Sequence, residues 1–437
     1  MEEHQINIRM FRPMESYQKY GGVLTFARSV GYAVVKKPEG YTTAKVDQII
    51  QEYEKKSANE QQSTAKQYPN IITVVNETFA DIKVLGDFKT NEDYMPYFHS
   101  LKKNCVTGYT YASIVGGQTA NTEFELLTGN TLGFLSAGTT AFQLYIHGQM
   151  PSLVSNLKAE GYSGNKAMHP FNPYNYNRPA VYKDFGFTDF IDKFDFPKNV
   201  KRVREYISDE ANVDRIISEY EKNRKKTDQP FYMYNMTIQN HSPYDKDAAN
   251  FKQPIKIESS KYDAEANRYL NLIKYSDDSL KQLTSYFEKC KEPTIILFLG
   301  DHQPRLTDEF MNKITNGQYQ TWSSEQMMKR YQVPFVIWAN YDIKGQHIEK
   351  TSMNYIQSIL TQTAGVKMTG YQRFLNEVRK EVPTITSQGY WGKNGKFYQI
   401  NDKGSPYYGI IQKYRMIQYN MMFDKKNRRD SFFEVSK

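Results

Sequence analysis

Residues 294–302 read Thr-Ile-Ile-Leu-Phe-Leu-Gly-Asp-His, and they carry the clearest structural signal in the chain. Residues 294–299 are a short, β-prone apolar run, which is typical of a strand buried inside a sheet. Gly300 permits a sharp exit from that strand and leaves Asp301 and His302 side by side at its end. In open α/β sheets, ligands bind just outside the carboxyl ends of the strands. The stretch therefore predicts a buried strand with a polar site at its end.

Similar apolar runs recur along the chain and alternate with helical stretches. The runs with strand character are residues 70–75 (NIITVV), 231–236, 294–299 and 333–339 (VPFVIWA). The helical stretches between them include residues 212–225 and 269–289. This alternation predicts an α/β fold, in which a central and largely parallel sheet carries helices on both faces.

The sequence predicts three segments. Residues 1–66 are predicted to form an N-terminal arm and linker, in which residues 45–56 are helical. Residues 67–372 carry the alternating pattern and form the main domain. Residues 373–437 form a small C-terminal subdomain of α+β character, packed on the main domain. Within it, residues 389–398 (GYWGKNGKFY) contain an Asn-Gly turn that predicts a β-hairpin.

Composition and charge exclude several classes of protein. Hydrophobic residues make up 39% of the 437 residues, which supports a folded core and excludes global disorder. The net charge of +9 favours anionic partners such as lipid headgroups or wall polymers. Nucleic acid is not expected, because the basic residues are scattered and no nucleic-acid-binding motif is present. Cys105 and Cys290 form no CxxC motif, and a disulfide between them stays open.

No stretch reaches 18 consecutive apolar residues, so the sequence predicts no transmembrane helix. Residues 21–35 come nearest, and Arg28 interrupts them. Three interpretations of this segment stay open. It is compatible with an interfacial helix, with the juxtamembrane end of a longer protein, and with an ordinary amphipathic helix packed on the domain.

Three polar residues at predicted strand ends are candidate metal ligands. Glu77 follows the first strand, just as Asp301 and His302 follow a later one. Carboxylate oxygens and an imidazole nitrogen on a rigid edge suit a divalent metal such as Mn²⁺ or Zn²⁺. The structural alternatives are helix capping by Glu77 or Asp301 and an ordinary loop position for His302.

A glycine-rich entry into a helix supplies a candidate nucleophile. Residues 116–119 (GGQT) precede a helix-forming stretch, whose first turn leaves backbone N–H groups free and carries the positive end of the helix dipole. A phosphate is well placed at such a helix start, where Thr119 could attack it. Thr119 could also be a plain N-cap, with Thr122 or Glu123 completing a capping box. The two interpretations are compatible.

Two further segments carry candidate phosphate contacts. His241 follows the strand at residues 231–236, where an ordinary hydrogen-bonded loop histidine is the structural alternative. Residues 169–178 (HPFNPYNYNR) are a non-helical stretch with two prolines. Within it, Arg178 could clamp a phosphate and Tyr176 could stack on a headgroup.

Five motifs, taken in order, resemble the lipoteichoic acid synthase family. They are residues 76–79 (NETF), 117–124 (GQTANTEF), 169–178 (HPFNPYNYNR), 240–244 (NHSPY) and 300–304 (GDHQP). This family comprises phosphoglycerol transferases of the sulfatase-like, alkaline phosphatase superfamily. The resemblance covers residue 36 to the end, and its specificity comes from the five motifs together. It implies an alkaline-phosphatase-like fold.

The resemblance implies a metal centre and a nucleophile. Glu77, Asp301 and His302 match the family's metal ligands, and Thr119 matches the metal-bound nucleophile. The implied cofactor is one divalent metal, for which the resemblance favours Mn²⁺, with Zn²⁺ or Mg²⁺ as alternatives. Metal coordination would lower the pKa of the Thr119 hydroxyl and lead to a phosphothreonine intermediate.

The resemblance also implies substrate contacts. His241 matches the histidine that faces the phosphoryl group, and Arg178 matches an arginine that contacts glycerol phosphate. His169 lies at a matching spacing before Arg178. Two positions depart from the family pattern, since Tyr176 stands where members can carry Trp and Phe171 stands where an acidic substrate contact can occur.

The implied reaction moves glycerol phosphate from phosphatidylglycerol to a glycolipid or cell-wall acceptor. The implied partners are an anionic phospholipid headgroup, that acceptor and the membrane surface. In the family, the extracellular domain follows a bundle of membrane helices, which this chain lacks. The expected location is therefore the extracellular face of the cell membrane of a Gram-positive-type bacterium, as a soluble portion of a longer protein.

Other functions are left open by the same residues. A hydrolase would release glycerol phosphate to water from the same site. A phosphoethanolamine transferase would share the Thr nucleophile, although its soluble domain usually holds several disulfides. A sulfatase needs Cys or Ser within C/S-x-P-x-R, which the residues after Cys105 do not match. A non-catalytic module would bind anionic wall polymer through the net charge of +9.

Overall fold

The computed structural model describes residues 13–33, 35–57, 67–258 and 264–435. The α-helices are α1 (Pro13–Tyr20), α2 (Gly22–Ala33), α3 (Thr43–Ser57), α4 (Pro96–Ser100), α5 (Thr119–Thr128), α6 (Ala141–Leu144), α7 (Leu153–Ala159), α8 (Arg178–Phe185), α9 (Asp209–Arg224), α10 (Ala264–Phe287), α11 (Asp308–Ile314), α12 (Ser324–Met327), α13 (Met353–Thr363), α14 (Gly370–Glu381), α15 (Tyr408–Met422) and α16 (Asp430–Phe433). The β-strands are β1 (Asn70–Asn76), β2 (Cys105–Tyr111), β3 (Ser163–Met168), β4 (Asp189–Ile191), β5 (Arg202–Val203), β6 (Tyr206–Ile207), β7 (Phe231–Met236), β8 (Thr294–Gly300), β9 (Gln332–Ala339), β10 (Gln346–Ser352), β11 (Thr384–Thr386), β12 (Gly389–Trp391) and β13 (Phe397–Tyr398).

Eight strands form the central sheet, in the order β10-β2-β9-β8-β1-β7-β3-β4. Strands β1, β7 and β8 are buried at every position, as expected of continuous apolar runs that are covered on both faces. β9 runs antiparallel to β2 and β8, whereas the other neighbouring pairs are parallel. The predicted α/β class with a largely parallel sheet is therefore confirmed.

Alternate residues of β1 face opposite sides of the sheet, because side chains along a strand alternate with a period of two. Ile71 and Val75 join one hydrophobic core, to which helices α5, α13, α14 and α15 contribute. Ile72 and Val74 join the other core, to which α9 and α10 contribute. Helices therefore cover both faces of the sheet, and the strand ends remain at its edge.

The predicted C-terminal hairpin is present. Strands β12 and β13 pair antiparallel, and the turn between them uses Gly395 at a φ of +75°. β11 pairs with β12 to complete a three-stranded sheet, which contacts strands β2 and β10 of the main sheet. The C-terminal sheet thus packs on the β10 side of the main sheet and brings its β11–β12 turn towards the strand ends.

Helix α3 packs against the C-terminal helices. The rings of Tyr53 and Phe374 lie with centroids 4.7 Å apart, and Lys413 Nζ donates to Glu52 Oε2 at 2.6 Å. Part of the predicted N-terminal arm therefore belongs to the core shared with α14 and α15. Residues 1–12, 34 and 58–66 of that arm lie outside the described residues.

The structure settles one open point of the sequence analysis, the disulfide, and leaves the three interpretations of residues 21–35 open. Cys105 and Cys290 are both free thiols, so they form no disulfide. Within the described residues, no helix combines the length and apolar character needed to span a membrane. Helix α2 covers most of the segment at residues 21–35.

Candidate active site

The register between β1 and β8 brings the predicted metal ligands together. The two strands are parallel, with Asn76 opposite Gly300, so Glu77 and Asp301 emerge side by side. Gly300 is required at this point, because a Cβ there would lie 1.8 Å from the Phe79 carbonyl oxygen. The carboxyl ends of adjacent parallel strands thus converge, as the sequence pattern indicates.

Glu77, Asp301 and His302 form a buried cluster, in which one potential ligand atom from each residue lies within 4.8 Å of the others. His302 Nε2 is 3.2 Å from Asp301 Oδ2 and 3.9 Å from Glu77 Oε1. Neither Asp301 Oδ2 nor His302 Nε2 has a hydrogen-bond partner among the described residues, although both are buried. Buried polar atoms are almost always paired, so these two orphaned atoms fit a bound cation.

Neighbouring backbone groups orient the cluster. The Nδ1–H of His302 donates to the Gln303 carbonyl at 3.0 Å, which leaves the Nε2 lone pair for a metal. Asp301 Oδ1 accepts the backbone N–H groups of Thr78 at 2.7 Å and His302 at 2.8 Å, which leaves Oδ2 free. The side chains are therefore held in place before any ion binds.

The charge balance of the cluster also favours a cation. Burial and the adjacent Asp301 carboxylate raise the pKa of Glu77 above its ordinary value. Two buried carboxylates ionise together only with a compensating positive charge, which a divalent ion supplies. The capping alternative is wrong for both carboxylates, because neither Glu77 nor Asp301 lies at the N-terminus of a described helix.

Thr119 is the first residue of α5 and directly follows a tight turn. Gly116, Gly117 and Gln118 all have positive φ angles, of 68°, 141° and 68°. Gln118 occupies the N-cap position and makes no side-chain cap hydrogen bond. The first N–H groups of α5 are therefore left without a side-chain cap, and together with the helix dipole they favour an anion beside Thr119.

The capping box considered for Thr119 does not form, so that alternative is wrong. Thr122 instead donates from Oγ1 to the Asp301 carbonyl oxygen at 2.7 Å. Glu123 accepts from Arg178 Nη2 at 2.7 Å. The first turn of α5 is thus bound directly to the strand end that carries Asp301.

A cavity of about 650 Å³ opens at this edge of the sheet. Its walls include five of the predicted site residues, namely Glu77, Thr119, Tyr176, His241 and His302. Tyr176 has a φ of 60° and a ψ of 16°, so its backbone adopts the left-handed conformation that L residues rarely take. Such strain is typical of functional sites.

Sequence reasoning missed several residues of the cavity wall. Arg305, which lines the cavity, lies one residue beyond the motif at residues 300–304. Its positive charge next to that motif is the sequence signal that could have identified it. Ser387 and Gln388 reach the cavity from the β11–β12 turn, and Ser387 Oγ donates to the Ser113 carbonyl at 2.8 Å. No local pattern predicts this contact, because it joins segments far apart in the chain.

His241 contributes a neutral imidazole to the cavity. Its Nδ1–H donates to the Ser242 carbonyl at 2.6 Å, so Nε2 is left for a ligand. Burial lowers the pKa of His241 below its ordinary value, which keeps Nε2 unprotonated at neutral pH. The ring also stacks on Phe171, with centroids 6.2 Å apart and an interplanar angle of 23°.

Arg178 and His169 lie behind the cavity wall. Arg178 is buried and donates to Glu123 Oε1 from Nε at 3.0 Å and from Nη2 at 2.7 Å. Its guanidinium carbon lies 5.0 Å from the centroid of the Tyr176 ring, which separates it from the cavity. His169 Nδ1–H donates to the Met236 carbonyl at 3.0 Å, and burial keeps the pKa of His169 well below its ordinary value.

A known protein family matches the part of the chain that holds the candidate site. The sulfatase family profile matches residues 69–366, which include every predicted site residue. The chain belongs to the sulfatase family. Members of this family use a divalent metal, and the cluster of Glu77, Asp301 and His302 offers a site for one.

Two proteins of similar sequence are named for the modification of glucan or the synthesis of lipoteichoic acid. A putative cyclic β-1,2-glucan modification protein of Rhizobium meliloti is 30% identical over 433 residues, covering 97% of the chain and 65% of that protein. The lipoteichoic acid synthase of Staphylococcus aureus is 28% identical over 196 residues, covering 43% of the chain and 28% of that protein. The chain therefore spans less than two thirds of the length of these relatives.

Solved structures share the fold. The Streptococcus pyogenes phosphoglycerol transferase GacH, in complex with sn-glycerol-1-phosphate, superposes with a TM-score of 0.73 at 20% identity, covering 92% of the chain and 100% of that structure. The Listeria monocytogenes lipoteichoic acid synthase LtaP gives a TM-score of 0.62 at 19% identity, covering 89% of the chain and 98% of that structure. The predicted resemblance to lipoteichoic acid synthases within the alkaline phosphatase superfamily is confirmed.

Proposed function

We propose that the protein is a metal-dependent phosphoglycerol transferase with Thr119 as its nucleophile. Its donor is phosphatidylglycerol, and its acceptor is a hydroxyl group of a glycolipid or wall glycan. One observation carries the proposal: Thr119, at the uncapped start of α5, opens on the same cavity as Glu77 and His302. A nucleophile, an anion-binding helix start and a metal-ligand cluster are the parts that phosphoryl transfer needs.

The reaction proceeds in two displacements. First, Thr119 Oγ1 attacks the phosphorus, the bond from phosphorus to the diacylglycerol oxygen breaks, and that oxygen takes up a proton as Thr119 loses one. The result is a glycerophosphoryl ester on Thr119. Then the acceptor hydroxyl attacks the same phosphorus and gives up its proton, and Thr119 regains one. Splitting the transfer in this way replaces one difficult step with two easier ones.

Three features of the cavity support these steps. A divalent cation held by Glu77, Asp301 and His302, for which we propose Mn²⁺, would neutralise phosphoryl charge and lower the pKa of the nucleophile's hydroxyl. The uncapped N–H groups of α5 would stabilise the remaining phosphoryl oxygens. His241, whose Nε2 is unprotonated, would take the acceptor's proton in the second step.

Arg178 acts on this site from behind the wall. Two of its guanidinium nitrogens, Nε and Nη2, donate to Glu123 Oε1. Its charge is one of the influences that lower the pKa of Glu77, so its field reaches the metal cluster. We propose that Arg178 supplies positive charge to the bound phosphate and positions Tyr176, while His169 supports the same wall.

The acceptor and location follow from chemistry and from the relatives. A lipid donor places the reaction at a membrane surface, and the net charge of +9 favours anionic lipid there. The relative that matches 97% of the chain is named as a glucan modification protein, and another is named as a lipoteichoic acid synthase. We therefore propose an extracellular acceptor that carries carbohydrate hydroxyl groups.

The test is to trap the covalent intermediate. Purified protein is loaded with Mn²⁺, incubated with phosphatidylglycerol and digested, and the peptide containing Thr119 is analysed by mass spectrometry. We expect a glycerophosphoryl group on Thr119, absent from the chelated protein. Release of diacylglycerol with an unmodified Thr119 would rule out the covalent route.

Product analysis separates the alternatives. With an oligosaccharide acceptor present, a transferase yields modified acceptor, whereas a hydrolase yields only free glycerol phosphate. Phosphatidylethanolamine as sole donor tests the phosphoethanolamine transferase. A non-catalytic module would bind wall polymer in a salt-sensitive way that survives both chelation and Thr119→Ala.

A further inference from the structure

A second cavity, of about 340 Å³, lies next to the site already described. We call it the side cavity. It is formed where the segment at residues 170–171, the 3₁₀ turn Lys193–Asp195 and the β5–β6 hairpin meet. Its walls include three aromatic and three charged side chains, namely Phe171, Phe194, Tyr206, Lys193, Arg202 and Glu205.

The side cavity shares a wall of rings with the main cavity. Phe171 stacks on His241, with centroids 6.2 Å apart, and Tyr206 lies 5.7 Å from the same imidazole. The Tyr206 hydroxyl is 3.4 Å from His241 Nδ1. A ligand in the side cavity would therefore sit one ring away from His241, which itself lines the main cavity beside Thr119.

The wall combines exposed apolar rings with polar edges. Phe194 is 74% exposed, and its ring lines the side cavity together with those of Phe171 and Tyr206, so an apolar surface is open to a ligand there. Lys193 Nζ lies 5.0 Å from the Phe194 centroid and 5.9 Å from that of Phe171. Arg202 and Glu205 are both exposed and stand at the rim, so donors and an acceptor flank the rings.

A carbohydrate ring fits this arrangement. A hexose presents an apolar C–H face that packs on an aromatic ring, and hydroxyl groups around its edge that need both donors and acceptors. The wall holds two cations, Lys193 and Arg202, against one carboxylate, Glu205, so its charge alone does not reject an anionic chain. The three aromatic rings are what favour a sugar, because a glycerol phosphate chain has no ring face to stack on them.

We propose that the side cavity is the acceptor subsite and binds a neutral hexose unit of a glycan. This inference rests on the proposed function, since a glycan bound in the side cavity would lie next to His241, which lines the main cavity together with Thr119. Phe171 lines the side cavity and stacks on His241, so it offers a ring on which a sugar can pack next to the main cavity. The relative named for β-1,2-glucan modification supports a carbohydrate acceptor.

Binding without turnover tests the subsite. The parent protein is Thr119→Ala, which removes the proposed nucleophile, and the probe is a β-1,2-linked gluco-oligosaccharide in isothermal titration calorimetry. We expect Phe194→Ala in this parent to raise the Kd about tenfold or more, as removal of a central aromatic contact does. The matched control is Tyr174→Ala, since Tyr174 is 80% exposed in the same region and lines neither cavity.

Each outcome decides the point. Weaker binding in Phe194→Ala, with Tyr174→Ala unchanged and both variants folded by circular dichroism, supports the subsite. Equal binding in Phe194→Ala and the parent, or no binding by the parent, overturns it. Preferential, salt-sensitive binding of a glycerol phosphate oligomer also overturns it. Because this assay needs no catalysis, it separates failure of the subsite from failure of the proposed reaction, which the Thr119 adduct reports.

Discussion

Two buried charged clusters meet at the first turn of α5, and they differ in how their polar atoms are satisfied. In the Glu123 cluster, Arg178 donates from Nε and Nη2 to Oε1, at 3.0 and 2.7 Å. The hydroxyl groups of Tyr182 and Tyr234 donate to Oε2. Both carboxylate oxygens of Glu123 therefore have partners, and its charge is balanced.

The cluster of Glu77, Asp301 and His302 is built differently. Asp301 Oδ2 and His302 Nε2 are equally buried but have no hydrogen-bond partner among the described residues. Two carboxyl groups lie beside one imidazole in this cluster, and burial and the adjacent Asp301 raise the pKa of Glu77. Buried polar atoms are thus unpaired in this cluster, whereas both carboxylate oxygens of Glu123 are hydrogen-bonded.

The contrast distinguishes a scaffold from a ligand site. A buried charge pair that is fully hydrogen-bonded holds its neighbours in one arrangement. A buried cluster with unpaired donor atoms costs folding free energy unless a ligand completes it. We infer that the Glu123 cluster fixes α5 in position. We also infer that the cluster of Glu77, Asp301 and His302 binds a cation beside Thr119.

The largest expected effect is loss of the nucleophile. Thr119→Ala should lower the rate of diacylglycerol release at least about 10⁴-fold, because it removes the hydroxyl group that stands at the uncapped start of α5 on the same cavity as the metal-ligand cluster. Thr119→Ser, which keeps a hydroxyl group, should retain measurable activity. The assay is release of diacylglycerol from phosphatidylglycerol vesicles. More than a few per cent of wild-type activity in Thr119→Ala would contradict the assigned role.

The next prediction compares the clusters by one matched change, a carboxylate to its amide. Glu123→Gln should destabilise the protein by about 3–5 kcal/mol, because it leaves the buried Arg178 without a counter-charge. Asp301→Asn, measured in chelator, should leave stability unchanged or higher, because it relieves repulsion with Glu77 and its oxygen still accepts the two backbone N–H groups. Urea unfolding monitored by circular dichroism gives both values. Equal destabilisation by the two changes would contradict the assignment of one cluster as structural and the other as a ligand site.

A smaller effect is expected at a charged group that is open to water. His99 lies 2.7 Å from Asp93 Oδ2 and 3.8 Å from Asp81 Oδ2, and hydrogen bonding to Asp81 is the main cause that raises the pKa of His99 to about 9. Because the folded-state pKa exceeds the unfolded value of about 6.5, this stabilisation is complete below pH 6.5 and is lost as the pH rises through 9.

The His99 side chain is 35% exposed, so solvent screening limits the contribution to about 1 kcal/mol. The measurement is urea unfolding of wild type and His99→Gln at pH 6 and pH 10. The stability gap between the two proteins should narrow by about that amount at the higher pH. A constant gap would show that His99 is not paired as described.

The strands at the centre of the sheet were predictable from sequence, and those towards its edges were not. β1, β7 and β8 are continuous apolar runs, which burial on both faces requires. β3 (SGNKAM) and β10 (QHIEKTS) are largely polar, and tertiary pairing holds them in the sheet. The antiparallel direction of β9 was also not predictable, because an apolar run does not encode strand direction.

The same division applies to the site. Parallel strands end at one edge, so the proximity of Glu77 to Asp301 and His302 followed from local patterns. The pairing of Arg178 with Glu123, and the arrival of Gln388 at the cavity, depend on contacts between distant segments. Their roles, and those of the predicted site residues, stay predictions until they are measured.

The most direct measurement is the metal content of the protein. Chelator-stripped wild type is equilibrated with Mn²⁺, and bound ion is counted by electron paramagnetic resonance and elemental analysis. If only the cluster of Glu77, Asp301 and His302 binds a cation, wild type should hold about one ion per chain and Asp301→Ala should hold none. Glu123→Gln should also hold about one ion, at a temperature where that variant is folded. Wild type that binds no divalent ion, or Asp301→Ala that binds as much as wild type, would contradict the account.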